Sequence, residues 1–217
     1  MMKLSSFGAF PDMPHIPDLP HLRPQNVTAD QVLSEVEGLL QSARDRVHQL
    51  ECCSRLGEQL GHIRSLVVDI RRSTLVLQKL RGLVEDFDGW YGPVQDKLGA
   101  DQLMLYFREL RNEVEKQGLP GALAELYRAD TGEALADVAC FEDAHGMAVS
   151  GVIRENASVD SGGFTGPRGL RNFRLPDPPT EHDGQPLLDL RFATLAGLAL
   201  DFLDTHAVKP ARARFGA

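Results

Sequence analysis

The sequence contains little cysteine. Its 217 residues include only Cys52, Cys53 and Cys140. Consecutive residues of a helix point about 100° apart, so Cys52 and Cys53 cannot share an unstrained disulfide. No Cys-x-x-Cys pair occurs, and His48 together with Cys52 supplies too few ligands for zinc. We therefore expect buried thiols on a helix in a reducing cytoplasm, and we expect no metal ion and no cofactor.

Positive charge and long apolar runs are also scarce. The chain has 23 Lys and Arg against 31 Asp and Glu, a net charge of -8, which excludes a protein that coats nucleic acid through charge alone. No apolar run approaches the ~20 residues needed to span a bilayer. The opening residues MMKLSSFGAF contain one lysine and no long apolar stretch, unlike a secretory signal. The composition predicts a cytoplasmic protein without a membrane segment.

The length suits one domain with additions at its ends, because a chain of this size can bury one full core. We predict a mainly α fold, an up-down four-helix bundle with a small β or irregular insertion before the last helix. Residues 1–27 form a proline-rich extended arm in this prediction. Residues 28–206 form the bundle, with the insertion at about 121–185, and residues 207–217 form a basic C-terminal tail.

The first helix has a clear start signal. Thr28-Ala-Asp-Gln31 is a capping-box pattern, which places the start of the helix near Thr28. Apolar residues at helical spacing carry it towards Leu56. Gly57 and Gly61 then predict a turn or kink.

The next two helices are predicted from their apolar stripes and breakers. The second covers His62–Phe87, and Asp88-Gly89 closes it. Trp90–Pro93 then turns the chain into the third helix, which ends at Gly118 before Pro120. The third helix carries an apolar stripe at helical spacing, formed by Leu103, Phe107, Leu110 and Val114.

The sequence changes character after Pro120. Ala122–Tyr127 is predicted as a short helix, and Ala134–Phe141 with Met147–Ile153 as a hairpin rich in small and β-branched residues. Asp160–Asp183 is rich in Gly and Pro and is predicted as a loop. The final helix is placed over Pro186–His206 and completes the bundle.

Three arginines are spaced three residues apart in the predicted loop. Arg168, Arg171 and Arg174 alternate with Leu170 and Phe173. Cationic side chains at this spacing could contact phosphate or RNA. The alternative is a solvated loop, which fits the acidic character of the whole chain.

The N-terminal arm has a period of three residues. Prolines, apolar residues and Asp or His alternate through residues 10–22. A polyproline II helix has three residues per turn, so each class occupies its own edge. The apolar edge either packs on its own domain or docks on a second copy or another protein. It consists of Phe10, Met13, Ile16, Leu19 and Leu22.

A series of features between residues 62 and 118 resembles the HEPN-like family of bacterial helical bundles. The resemblance covers about a quarter of the chain. Its motifs, in order, are Arg72-Ser73-Thr74, Gln78-Lys79, Trp90-Tyr91, Gln95, Asp101 and Arg111-Asn112.

The resemblance implies a helical bundle that often dimerises and, in many members, cuts RNA without metal. The family signature is Arg, a polar residue, three further residues and His. There the Arg stabilises phosphorane charge and the His moves a proton. Arg111 and Asn112 match the signature, but Lys116 occupies the position of the His. Lysine has an ordinary pKa near ~10.4 and transfers protons poorly at neutral pH.

Three functions follow from these observations. The leading one is a non-catalytic, dimerising HEPN-like module that binds a partner. The second is an RNA-cleaving toxin or defence effector that uses Arg111, Asn112 and Lys116. The third is a structural component of a larger assembly that uses the proline-rich arm. Helical i,i+4 pairing of Arg111 with Glu115, and of Asn112 with Lys116, would instead give these residues a structural role.

Overall fold

A computed structural model describes residues 27–53, 56–118, 121–143, 146–152 and 168–216. It confirms a mainly helical fold with a small sheet before the last helices. A short 3-10 segment, Gln78–Gly82, follows the second helix, and a π-helical segment, Asp204–Val208, joins the last two. The helices are α1 (Ala29–Cys52), α2 (Leu56–Leu77), α3 (Phe87–Ala100), α4 (Gln102–Gln117), α5 (Phe192–Leu203) and α6 (Lys209–Phe215).

Local hydrogen bonds fix the ends of two helices as the sequence predicts. Thr28 caps α1, because its hydroxyl oxygen accepts from the Gln31 N–H at 3.2 Å and its own N–H donates to Gln31 Oε1 at 2.9 Å. Gly118 ends α4 with a φ of 83°, a left-handed value that glycine adopts without a steric penalty.

The bundle consists of α1, α2, α4 and α5 around one apolar core. α1 packs against α2 and α5, and α2 packs against α4 and α5. α3 lies against α4, and α6 lies against α1. The largest fully buried side chains come from all four bundle helices and include Leu33, Leu40, Ile63, Leu66, Ile70, Leu103, Phe107, Phe192, Leu195 and Leu200.

The first helix junction lies earlier than predicted. α1 ends at Cys52 and α2 begins at Leu56, so Gly57 and Gly61 both lie inside α2. Cys52 is exposed at the last residue of α1, and Cys53 lies just beyond the helix. The prediction of buried helical thiols is therefore wrong for these two residues.

The predicted turn at Trp90–Pro93 is also wrong, because it lies inside α3. Its aromatic residues pack together and thereby outweigh the glycine and proline breakers. The Phe87 and Tyr91 rings stack with centroids 5.0 Å apart, and Trp90 meets Phe215 edge-on at 5.2 Å. Asp101 then separates α3 from α4, so the predicted third helix is two helices.

The insertion contains a four-stranded antiparallel sheet in the order β3-β2-β1-β4. The predicted hairpin is confirmed as β2 and β3. The short helix predicted at Ala122–Tyr127 is wrong, since this segment is β1: Ala122 and Ala124 are buried while Leu123 between them is exposed. The strands are β1 (Ala122–Arg128), β2 (Ala134–Asp143), β3 (Gly146–Val152) and β4 (Arg168–Arg174).

The segment between the sheet and the last helices departs from the predicted loop and helix. β4 and a two-residue hairpin, β5 (Glu181–His182) with β6 (Gln185–Pro186), lie in or next to the predicted loop. The last bundle helix begins at Phe192 rather than at Pro186. Asp189 holds the preceding turn, because its carboxylate accepts from the Arg191 N–H at 3.0 Å and from the Thr194 hydroxyl at 2.7 Å.

The predicted basic tail is helical and is held against the bundle. Arg212 of α6 donates to Ser34 at 3.1 Å and to Glu37 at 2.7 Å, and it also pairs with Asp30. Arg214 donates to Asp86 at 2.9 Å. The contacts of Arg212 connect the last helix to the N-terminal part of α1, and the contact of Arg214 connects it to the residue before α3. Within the described ranges, no helix has the length and the apolar content that crossing a membrane requires.

Candidate functional site

Arg111 and Asn112 lie side by side on α4, and an acidic neighbour forms an ion pair with the arginine. Arg111 Nη2 lies 2.7 Å from Glu115 Oε1, one helical turn away, and Nη1 donates to Asn112 Oδ1 at 3.3 Å. Lys116 is exposed and makes no ion pair with the described residues. The structure therefore brings Arg111 and Asn112 together, whereas Lys116 extends into solvent.

The arginines of β4 are engaged within the sheet. Arg171 Nε lies 2.6 Å from Glu125 Oε1, and its guanidinium lies 4.7 Å from the centre of the Tyr127 ring. Arg174 lies 3.7 Å from Asp137 Oδ1. Arg168 is the first residue of β4. The cross-strand carboxylates partly neutralise Arg171 and Arg174, so a phosphate would have to compete with them.

The predicted partner-binding residues of the arm lie outside the described residues. Phe10, Met13, Ile16, Leu19 and Leu22 therefore remain a prediction from the sequence.

A cleft of about 550 Å³ opens between α2, α3 and α4. Four residues that carry the family resemblance face this cleft, from α2, the following 3-10 segment and α3: Thr74, Gln78, Tyr91 and Gln95. Its apolar floor is formed by Ile70, Leu98, Met104 and Phe107, all of them buried. Charged residues at the cleft are Arg71, Asp96 and Arg108.

Hydrogen bonds order the polar side of the cleft. Arg71 Nη1 donates to the Thr74 hydroxyl oxygen at 2.8 Å, and Gln78 Nε2 lies 3.4 Å from the Tyr91 hydroxyl. Burial raises the pKa of Tyr91 above its ordinary value, against the opposing effects of the Gln78 hydrogen bond and the charges of Arg71 and Arg81. Tyr91 is therefore a neutral hydrogen-bonding group at physiological pH.

A buried Asp–His pair joins α4 to the β5–β6 hairpin. Asp101 accepts from the backbone N–H of Met104 at 3.0 Å and of Asp183 at 2.8 Å, and both its oxygens lie 3.0 Å from His182 Nδ1. Burial favours the neutral carboxyl, but these hydrogen bonds outweigh it and lower the pKa of Asp101. The His182 ring packs edge-on against Phe202 at 4.9 Å.

The Asp–His pair resembles part of a catalytic triad in its geometry. The cavity that the pair lines is also lined by Lys97, Gln102, Glu181 and Phe202 among others, and among the described residues no serine, threonine or cysteine lines it to serve as a nucleophile. The pair therefore acts as a clamp that fixes the hairpin to the start of α4. The sequence carried no signal for it, because His182 is 81 residues from Asp101.

The described part of the chain contains no group of three or more His, Cys, Asp or Glu residues that could hold a metal ion.

Part of the chain matches a known protein family. Residues 58–125 are similar to the family described as bacteriophage lambda protein ea47. The matched stretch covers less than a third of the chain and includes most of α2, all of α3 and α4, and most of β1. It contains every residue that lines the cleft. No curated protein and no solved structure matches the chain.

Proposed function

We propose that the protein is a non-catalytic, HEPN-like module of the cytoplasm that dimerises and binds a partner. The observation that carries this proposal is the state of the α4 motif. The guanidinium of Arg111 is 2.7 Å from Glu115, and Lys116 stands where the family has a histidine.

Both features work against RNA cleavage. An arginine that stabilises the phosphorane must direct its donors at the substrate, but Glu115 accepts from Arg111. Lys116 stands where the family has a histidine, and lysine as a residue type transfers protons poorly at neutral pH. The helical bundle and the adjacent Arg111 and Asn112 on α4 support a likeness to the HEPN architecture. The ion pair of Arg111 and the lysine at position 116 support the loss of RNA cleavage.

We expect purified protein to show no ribonuclease activity on single-stranded RNA with or without divalent metal. The measurement is gel analysis of labelled RNA incubated with the wild type and with Arg111→Ala. Lys116→His restores the family signature, so its RNA cleavage is compared with that of the wild type in the same gel assay. Metal-independent cleavage by the wild type that is lost in Arg111→Ala would contradict the proposal and favour the toxin or defence effector.

We also expect a dimer in solution. Leu75 and Leu83, near the end of α2 and just after it, are 44% and 43% exposed and offer apolar surface to a second copy. Light scattering coupled to size exclusion should give twice the 23.9 kDa of the chain. Leu75→Glu should shift the protein towards monomer, whereas Leu188→Glu, at an exposed leucine outside the proposed Leu75 and Leu83 surface, should not. A monomer across the micromolar range would contradict the shared-cleft arrangement of the family.

A further inference from the structure

Arg71 in the α2–α3–α4 cleft has a positive charge without a carboxylate partner in the described part of the chain. It is half-buried, and its Nη1 donates to the neutral hydroxyl of Thr74 at 2.8 Å. A partly desolvated guanidinium normally pairs with an anion. Other half-buried arginines follow that rule and meet carboxylates: Arg44, Arg46, Arg111, Arg171 and Arg212.

The charged side chains at the cleft favour a ligand with one negative charge over a ligand with two. Arg108, the second arginine at the cleft, is exposed and already lies 2.9 Å from Glu109. Asp96 adds an exposed negative charge, which disfavours a dianion such as phosphate. Arg71 alone therefore remains for a ligand. The planar donor fork of an arginine matches the two oxygens of a carboxylate.

The other residues that line the cleft suit a ligand with an apolar body and one polar substituent. The buried side chains of Leu98, Met104 and Phe107 offer the body a dry surface. At the polar edge, Gln78 Oε1 and the Gln95 amide have no hydrogen bond to a side chain or backbone of the described residues. An amide can both donate and accept, so these groups suit one polar substituent on the ligand.

We propose that this cleft binds a small carboxylic acid with an aromatic or branched apolar body, whose carboxylate pairs with Arg71. The cleft volume of about 550 Å³ lies in the range of small-molecule sites, about 300–1,000 Å³. This site is independent of the α4 motif, because Arg111, Asn112 and Lys116 are not among the residues that line it. Its failure would therefore leave the proposed function untouched.

The test is isothermal titration of the full chain with benzoate, phenylacetate and indole-3-acetate at millimolar concentrations. Phenylacetamide, which has the same ring but no charge, should bind at least about tenfold more weakly than phenylacetate, since a charged hydrogen bond is lost. Inorganic phosphate should not compete. Arg71→Gln, which keeps a donor for Thr74, should weaken phenylacetate by a similar factor. Arg72→Ala is the matched control, because this exposed neighbour does not line the cleft and should leave binding unchanged.

A second variant blocks the cleft without removing the charge. A side chain at Gly99, which lines the cleft, would meet no atom within 4 Å at its Cβ, so Gly99→Leu can fold while its side chain occupies ligand space. Loss of binding in Gly99→Leu with an unchanged melting temperature would support the site. A peptide with a free C-terminal phenylalanine tests the other source of the same carboxylate.

Three results would overturn the proposal. The first is that none of the three acids binds. The second is that phenylacetamide binds the wild type as tightly as phenylacetate does, or that Arg71→Gln binds phenylacetate as tightly as the wild type does. The third is tighter binding by the peptide than by the free acids, which would assign the carboxylate to a protein partner.

Discussion

Asp101→Ala will lower the free energy of unfolding by about 3 kcal/mol at neutral pH, because it removes the hydrogen-bond acceptor of several buried groups at once. The side chain of Asp101 is only 4% exposed. Its removal leaves the N–H groups of Met104 and Asp183 without their acceptor and takes the carboxylate from His182. It also removes the N-terminal cap of α4. Urea denaturation followed by circular dichroism measures the loss.

The loss will depend on pH in a defined direction. The pKa of Asp101 is lower in the folded protein than its ordinary value of 3.8, so the folded state favours the ionised carboxylate. The contribution of Asp101 to stability is therefore fully present above pH 3.8 and is lost as the pH falls through the lower folded pKa. The difference in the free energy of unfolding between wild type and Asp101→Ala should therefore narrow as the pH falls below 3.8.

Asp201→Ala is the matched control for this clamp. Asp201 also meets a cation, Arg44 at 3.2 Å, but its side chain is 73% exposed. Exposed ion pairs contribute about 0–1 kcal/mol, so this change should cost little at any pH. Equal losses in the two variants would show that the Asp101 cluster does not hold the hairpin to α4.

Phe107→Ala will destabilise the bundle by about 3–5 kcal/mol, the range for truncating a buried phenylalanine. Phe107 is 1% exposed at the centre of the core. Its ring lies 5.6 Å from that of Tyr106 and 5.9 Å from that of Phe192, which connects α4 to α5. The truncation creates a cavity between these helices that the backbone cannot fully close.

The same denaturation experiment provides the comparison. Leu188→Ala removes an apolar side chain of similar kind that is 93% exposed, so it should change stability by less than about 0.5 kcal/mol. A cost for Phe107→Ala as small as that for Leu188→Ala would mean that α4 and α5 do not share one core.

Features encoded within a few residues could be predicted from the sequence. The α1 start depends on Thr28 and Gln31, which contact each other three residues apart. The α4 end depends on the backbone freedom of Gly118. The apolar stripe of α4 likewise identified buried residues, Leu103 and Phe107 among them. Each of these signals acts locally, so no knowledge of the remaining fold was needed.

Features that depend on distant partners could not be predicted. Trp90 lies in a helix and not in a turn partly because Phe215 of α6 packs against it. Leu126 and Leu170 are paired across β1 and β4, and this pairing determines strand over helix for β1. The clamp at Asp101 depends on His182 from a hairpin that the sequence presents as loop. In each case the deciding contact comes from a remote part of the chain.

The candidate site shows the same division. Arg111 and Glu115 lie one turn apart on α4, so their ion pair could be predicted from helical spacing, whereas Asn112 contacts Arg111 instead of the predicted Lys116. The cleft forms only when three helices pack at a particular angle. The sequence resemblance contained some of the residues that line the cleft but did not show that they lie together. Arg71 was not singled out, because an arginine on an amphipathic helix is ordinary until its surroundings are known.

The contact between Arg212 and Glu37 has a consequence for how the nascent chain is handled on the ribosome. The two residues are 175 positions apart, so α1 leaves the exit tunnel long before α5 and α6 exist to cover it. At the usual pace of synthesis, about 5–20 residues per second, this interval lasts roughly 9 to 35 s. During it, the apolar faces of α1 and α2 that later meet α5 remain uncovered. Ribosome-associated chaperones are therefore expected to engage this chain until its last helices emerge.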